Sequence, residues 1–156
     1  MKKLVIGCML LTLAVVQTAT ALDVGLFASR WDHKDGDAVW GGGVLFLPAT
    51  LPMEIRGTFY ERSDYHTLQA SPLDVGLALG LTRFDSVKFT GVGGGSYYWV
   101  DAKGSSPDNE FGWYAGGRIE VSTHEKYAVF GEALYRGAKL DDADFSGVTF
   151  NLGILF

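Results

Sequence analysis

After residue 21, apolar and polar residues alternate in short runs that recur about every 8 to 16 residues, and no amphipathic helix of useful length intervenes. A period of two puts successive side chains on opposite faces of an extended strand. The run from Leu73 to Thr82 is a clear case. Leu73, Val75, Leu77, Leu79 and Leu81 form one face, and Asp74, Gly76, Ala78, Gly80 and Thr82 form the other. The last eleven residues, SGVTFNLGILF, repeat the pattern. Val148, Phe150, Leu152, Ile154 and Phe156 oppose Gly147, Thr149, Asn151 and Gly153, with Leu155 breaking the alternation.

Alternation and turn residues together predict eight strands: Leu22–Trp31, Val39–Pro48, Met53–Arg62, Leu73–Thr82, Val87–Val100, Phe111–Val121, Tyr127–Arg136 and Ser146–Phe156. The connections between them run 7, 4, 10, 4, 10, 5 and 9 residues, so short turns alternate with longer loops. Most strands approach the roughly 9–11 residues that a tilted strand needs to cross a bilayer. Long loops at one end and short turns at the other are the habit of transmembrane barrels. The predicted fold is all-β, an eight-stranded antiparallel up-and-down transmembrane β-barrel over residues 22–156. Gly91, Gly93, Gly94 and Gly95 blur the faces of the fifth strand, where a bulge is expected.

The chain begins with Met1-Lys2-Lys3, an apolar run from Leu4 to Val16, and Ala19-Thr20-Ala21, which together read as a cleaved signal peptide over residues 1–21. Cleavage at the lipoprotein-like Val5-Ile6-Gly7-Cys8 would leave almost no apolar core and is rejected. Removing 21 of the 156 residues leaves 135, enough for one domain. Cys8 is the only cysteine, so the mature chain offers no disulfide or thiol chemistry.

The charge distribution bears on the soluble alternative, a lipocalin-like barrel. The eight predicted strands carry twelve charges, six of each sign, too few to solvate the outside of a soluble barrel. The Gly-x-Trp signature of lipocalins is also absent, since Trp31 follows Ser29-Arg30. Without Lys2 and Lys3 there are 11 basic and 18 acidic residues, a net charge of −7, and the four longer loops account for all of it. That acidity disfavours nucleic acid as a partner. The simplest reading of it is a solvated rim; bridging by divalent ions is the alternative, although no loop has an ordered calcium-ligand spacing.

On the strands, Glu54, Arg56, Arg118, Glu120, Glu132 and Arg136 fall on the face opposite the apolar one. The interior of an eight-stranded barrel is just wide enough for side chains to fill it. Opposite charges forced together there must pair, which predicts a lumen plugged by salt bridges, with a narrow channel as the alternative. Aromatic residues gather near strand ends, with Trp31, Trp40, Tyr60, Trp99, Phe111 and Trp113 toward the loops and Phe46, Phe84, Phe89 and Tyr127 toward the turns. Two headgroup-level girdles are expected, with the facing of Trp31 and Trp40 left open.

The closing strand, with Phe150, Leu152, Ile154 and the terminal Phe156, resembles the targeting strand of bacterial outer-membrane barrels, and the resemblance implies recognition by the barrel-assembly machinery. With Tyr127–Arg136, it makes the chain similar to the small eight-stranded outer-membrane proteins of the OmpA and OmpX type. That resemblance implies a bacterial outer-membrane location, acidic loops facing outward, and contact with lipid and lipopolysaccharide. It leaves the external partner unspecified, and it admits structural proteins, adhesins and, more rarely, lipid A-modifying enzymes. Deacylases of the last kind need a serine activated by histidine and an acid. His33 and His66 are each followed by residues that break the His-x-Ser pattern, and His124 lies in a predicted turn. Ser63, Asp64 and His66 share a loop rather than a rigid wall. No catalytic, cofactor-binding or metal-ligating residue is assigned, and a non-enzymatic surface barrel is expected.

Overall fold

The computed structural model describes residues 22–34, 37–61, 68–102, 109–124, 127–140 and 143–156. Ten strands are present among them: β1 Leu22–His33, β2 Val39–Pro48, β3 Met53–Tyr60, β4 Leu68–Phe84, β5 Val87–Ala102, β6 Glu110–His124, β7 Tyr127–Gly137, β8 Lys139–Leu140, β9 Ala143–Asp144 and β10 Gly147–Leu155. Eight of them close an antiparallel barrel in the order β1-β10-β7-β6-β5-β4-β3-β2. β8 and β9 form a small separate hairpin inside what the sequence reads as a loop. Closure comes from the first and last strands, paired from Gly25↔Leu155 to His33↔Gly147. Val24 and Phe156 extend that seam by donating N–H groups to each other's carbonyls at 3.3 and 2.9 Å.

The barrel is polar inside and apolar outside. Val75, Leu77, Leu79 and Leu81 on β4, and Phe150, Leu152 and Ile154 on β10, keep between 45% and 70% of their surface exposed. An apolar belt of this extent marks contact with a partner or a membrane. A closed barrel also leaves no unpaired strand edge for lipid to meet. The inward positions of β10, namely Gly147, Thr149, Asn151, Gly153 and Leu155, are buried. Leu155, the break in the alternation, packs inside with Phe27, Leu45 and Phe130 and floors the lumen.

Three local expectations change. β4 starts at Leu68 rather than Leu73, running straight through Pro72. The β3 ladder stops at Gly57↔Leu73, so no neighbour on that side needs the N–H that proline lacks. The bulge falls in β4, where the register jumps from Gly80↔Thr90 to Thr82↔Phe89, and the glycine run of β5 pairs without interruption. β3 ends at Tyr60, and Arg62 lies outside the described residues. The β4–β5 turn is a tight one at Asp85 and Ser86, with Asp85 at φ 51°. Aspartate is among the few residues that tolerate that left-handed conformation.

Candidate functional site: the luminal charge network

Inward alternation on β3, β6 and β7 carries four charged side chains into one layer, and register brings them together. Arg118 is paired with Glu132 across β6 and β7, and Asn151 with Glu132 across β7 and β10. Arg56 donates to Glu132 Oε1 and Oε2 at 2.5 and 2.9 Å and to Glu54 Oε1 at 2.9 Å. Arg118 donates to Glu132 Oε2 from Nε at 3.0 Å and from Nη2 at 2.8 Å, and Nη2 also donates to Glu54 Oε2. Asn151 Nδ2 adds a bond to Glu132 Oε1 at 2.7 Å, and the Tyr114 hydroxyl donates to Glu54 Oε1 at 2.9 Å. Glu54, Arg56 and Arg118 are at most 1% exposed. Two carboxylates thus face two guanidiniums, which satisfies the pairing that burial of charge demands.

Toward the loop end lies a second pair. Arg136 grips Asp74 in a bidentate fork at 2.9 and 2.7 Å, and its Nε donates to Thr149 Oγ1 at 3.2 Å. The fork geometry is the strong form of an ion pair. Asp74 lies on the inward face that the β4 alternation defines, yet the sequence reading did not group it with the other luminal charges. Its signal was a lone acid among the small residues of that face. Tyr114 stands between the two clusters, with the Arg56 and Arg136 guanidinium carbons 5.6 and 5.8 Å from its ring centre. Gly76 makes room for it, since a Cβ there would collide with the Tyr114 hydroxyl.

Aromatic packing closes the lumen on both sides of the charges. At the loop end, the Trp31 ring lies 5.1 Å from Tyr60, 6.0 Å from Tyr98 and 5.9 Å from Phe145. Trp31 and Tyr60 therefore face inward, which decides the facing left open for Trp31 and corrects the assignment of Tyr60 to the outer girdle. Trp31 shares the face of Phe27, Ser29 and His33, and only inside does it find partners for its whole ring. Below the charges, the Arg118 guanidinium lies 5.6 Å from the Phe130 ring centre, and Phe27 meets Phe130 edge-on at 6.3 Å.

Glu120 stands at the margin of the network. Lys88 donates to its Oε2 at 3.2 Å, whereas its Oε1 is 3.8 Å from Arg118 Nη1, too far for a hydrogen bond. Both groups line a pocket of about 290 Å³ at the turn end, below the β2–β3 turn.

The remaining expected features are distributed as follows. Trp40, Trp99, Phe111 and Trp113 are exposed on the outer surface, and Tyr97 packs edge-on against Trp99 and Phe111 at 5.0 Å each. At the turn end, Phe84 meets Phe89 at 6.5 Å and Tyr127 meets Phe156 at 5.8 Å. Phe150, Leu152, Ile154 and Phe156 all point outward. In the acidic loops, Asp32 pairs with Arg30 at 3.0 Å and Asp144 with Lys34 at 3.2 Å, so part of that charge is locally neutralised. His33 is buried against Phe145, with the ring centres 4.5 Å apart. Ser63, Asp64 and His66, and the signal segment 1–21, lie outside the described residues. Among the described residues no group of three or more histidines, cysteines or acids has metal-binding geometry.

No family model and no curated protein matches the chain. Solved structures do. The crystal structure of Ail, the attachment invasion locus protein of Yersinia pestis, matches at 16% identity and TM-score 0.49, over 86% of this chain and 95% of that one. The de novo designed protein TMB2.3 matches at 13% identity and TM-score 0.48, over 87% and 92%. The backbone structure of the Yersinia pestis outer membrane protein Ail in a phospholipid bilayer nanodisc matches at 14% identity and TM-score 0.52, over 86% and 97%. At that identity the likeness is one of fold alone: the chain is an eight-stranded closed antiparallel barrel, the fold it shares with Ail in the nanodisc.

Proposed function

We propose that this protein is a non-enzymatic barrel of the bacterial outer membrane, structural or surface-interacting in role, whose lumen is plugged by charge. The observation that carries the reading is the inverted architecture. An apolar belt faces outward, while Glu54, Arg56, Arg118 and Glu132 neutralise one another within the wall under the Trp31–Tyr60–Tyr98–Phe145 cap. A side-chain-filled interior of this kind has no continuous aqueous path, because opening one would separate buried ion pairs. In this reading residues 1–21 are a cleaved signal, the longer acidic loops face outward beside lipopolysaccharide, and the outer apolar belt meets lipid. The strand ending in Phe156 is then read by the assembly machinery.

Cell fractionation joined to a detergent gel tests this. The mature protein is expected in the outer-membrane fraction, with different mobilities unboiled and boiled, because a closed barrel stays folded in cold detergent. Recovery in the soluble periplasm without a heat shift contradicts the membrane assignment. Lipid A from cells overproducing the protein is expected to keep its normal acyl pattern by mass spectrometry, and an altered pattern contradicts the non-enzymatic reading.

A further inference from the structure

At the turn end the barrel wall is closed only as far as neighbouring strands reach, and β4 outruns β3. β3 begins at Met53, opposite Leu77, and the Ala78 N–H donates to the Pro52 carbonyl at 3.0 Å. Beyond that bond β4 continues through Leu79–Phe84, held on one side by β5 from Leu79↔Gly91 to Phe84↔Val87. On its other side it has no strand partner among the described residues. Strand residues direct their backbone groups to alternate sides. Ala78 and then Gly80 therefore present theirs to the open side, and a Cβ added to Gly80 would meet nothing within 4 Å. Leu79, Leu81 and Phe84 keep half or more of their surface exposed. An exposed apolar edge of this kind is a template for pairing with another chain.

We propose that this β4 rim docks an extended segment of a second polypeptide as an added strand, with an acidic side chain beside Arg83 and an apolar one in the turn-end pocket. Charge is the first reason. Arg83 lies directly opposite Lys88, so two cations stand side by side on the inner face of the hairpin, an unfavourable pairing. Lys88 is matched by Glu120 at 3.2 Å. The Arg83 side chain donates only to the Asp85 carbonyl, at 3.4 Å, and enters no ion pair among the described residues. An incoming carboxylate supplies the missing charge. Shape is the second reason. The pocket opens beside the same edge at Ala78, and Leu47, Leu51 and Met53 give it an apolar wall. Main-chain bonds along an edge with a pocket for an alternate side chain are how strand addition combines affinity with specificity. A second copy does not fit. Barrel strands tilt by about 35–45°, so the β4 edges of two barrels standing the same way up in one membrane would cross rather than pair. In the orientation proposed above the partner is periplasmic, but the docking does not depend on that orientation and is tested apart from it.

The test is an amide NMR titration of the full mature barrel in nonionic micelles. The probe is an end-capped peptide in which threonine alternates with two leucines and then two aspartates. Saturable shifts are expected at the Gly80 and Arg83 amides. Two versions N-methylated on alternate residues separate strand addition from other binding. The version methylated on the side facing β4 should bind at least about tenfold more weakly, and the other should bind as the parent does. Lysine in place of aspartate should weaken binding by about fivefold, the upper range for an exposed ion pair. Arg83→Glu should reverse that preference, with folding checked by the heat-dependent gel shift. Short-chain phosphatidylglycerol should not displace the peptide. Its doing so would assign the two cations to a lipid headgroup and overturn the proposal. No saturable shift, equal affinity of the two methylated versions, or an unreversed preference in folded Arg83→Glu overturns it as well.

Discussion

Replacing Glu132 by alanine is the most informative perturbation of the lumen. Glu132 accepts five hydrogen bonds, two each from Arg56 and Arg118 and one from Asn151. At about 1.5–3 kcal/mol for a bond to a charged group, a simple sum would rival the stability of a whole domain. That sum overstates the loss. Glu54 still reaches both guanidiniums after the substitution, so two cations share one anion instead of facing none. The expected cost is about 3–5 kcal/mol, the range for breaking a buried pair by removing one partner. The assay is reversible urea unfolding in lipid vesicles followed by tryptophan fluorescence. A control sharpens it. Glu132→Leu with Arg118→Leu removes one charge of each sign and leaves Arg56 paired with Glu54 at 2.9 Å. The double variant should therefore be markedly more stable than the sum of its single changes implies, because charges in one network do not act additively. A Glu132→Ala variant within about 0.5 kcal/mol of the parent, the range of surface substitutions, would mean that Glu132 is solvated and the plug argument is wrong.

Two further predictions concern the seam and the loop end. Deleting Phe156 removes the two backbone bonds to Val24 and the edge-on contact with Tyr127; outer-membrane levels in a pulse-chase should fall and periplasmic protein should accumulate, and unchanged levels would count against the assembly role. Asp144 is held down to about 2 by hydrogen bonds from Ser146 and then from Lys34. With its pKa depressed in the folded state, the carboxylate supports the β8–β9 hairpin fully above the ordinary carboxylate value of about 4 and loses that support as pH falls through about 2. A side-chain carbon NMR titration should show this low midpoint, moving upward in Ser146→Ala; an ordinary midpoint in the parent would refute the contact.

The sequence carries most of the barrel because lipid-type strands separate their faces sharply. On β4 every outward position from Leu73 to Leu81 is large and apolar, and every inward one is small or acidic, so both strand and facing are legible. β1 is less so. Phe27 and Trp31 are apolar yet inward, because the two ends of the lumen are packed with hydrocarbon, and alternation alone does not tell an apolar plug from a lipid face. Tyr60 followed the same logic, its amphipathic ring suiting either a girdle or a cap. The charge layer was legible as a face but not as a partner list. Asp74 and Arg136 are 62 residues apart in sequence, and only the stagger of strands around the barrel brings them within a bidentate contact.

Electrical recording from the purified barrel in a planar lipid bilayer tests the plugged lumen most directly. With Arg56, Arg118, Glu54 and Glu132 locked together beneath the aromatic cap, the parent protein is expected to give no steady conductance at moderate voltage. Resolved, reproducible single-channel steps from the folded parent, with an ion selectivity that changes in Glu132→Ala, would contradict it.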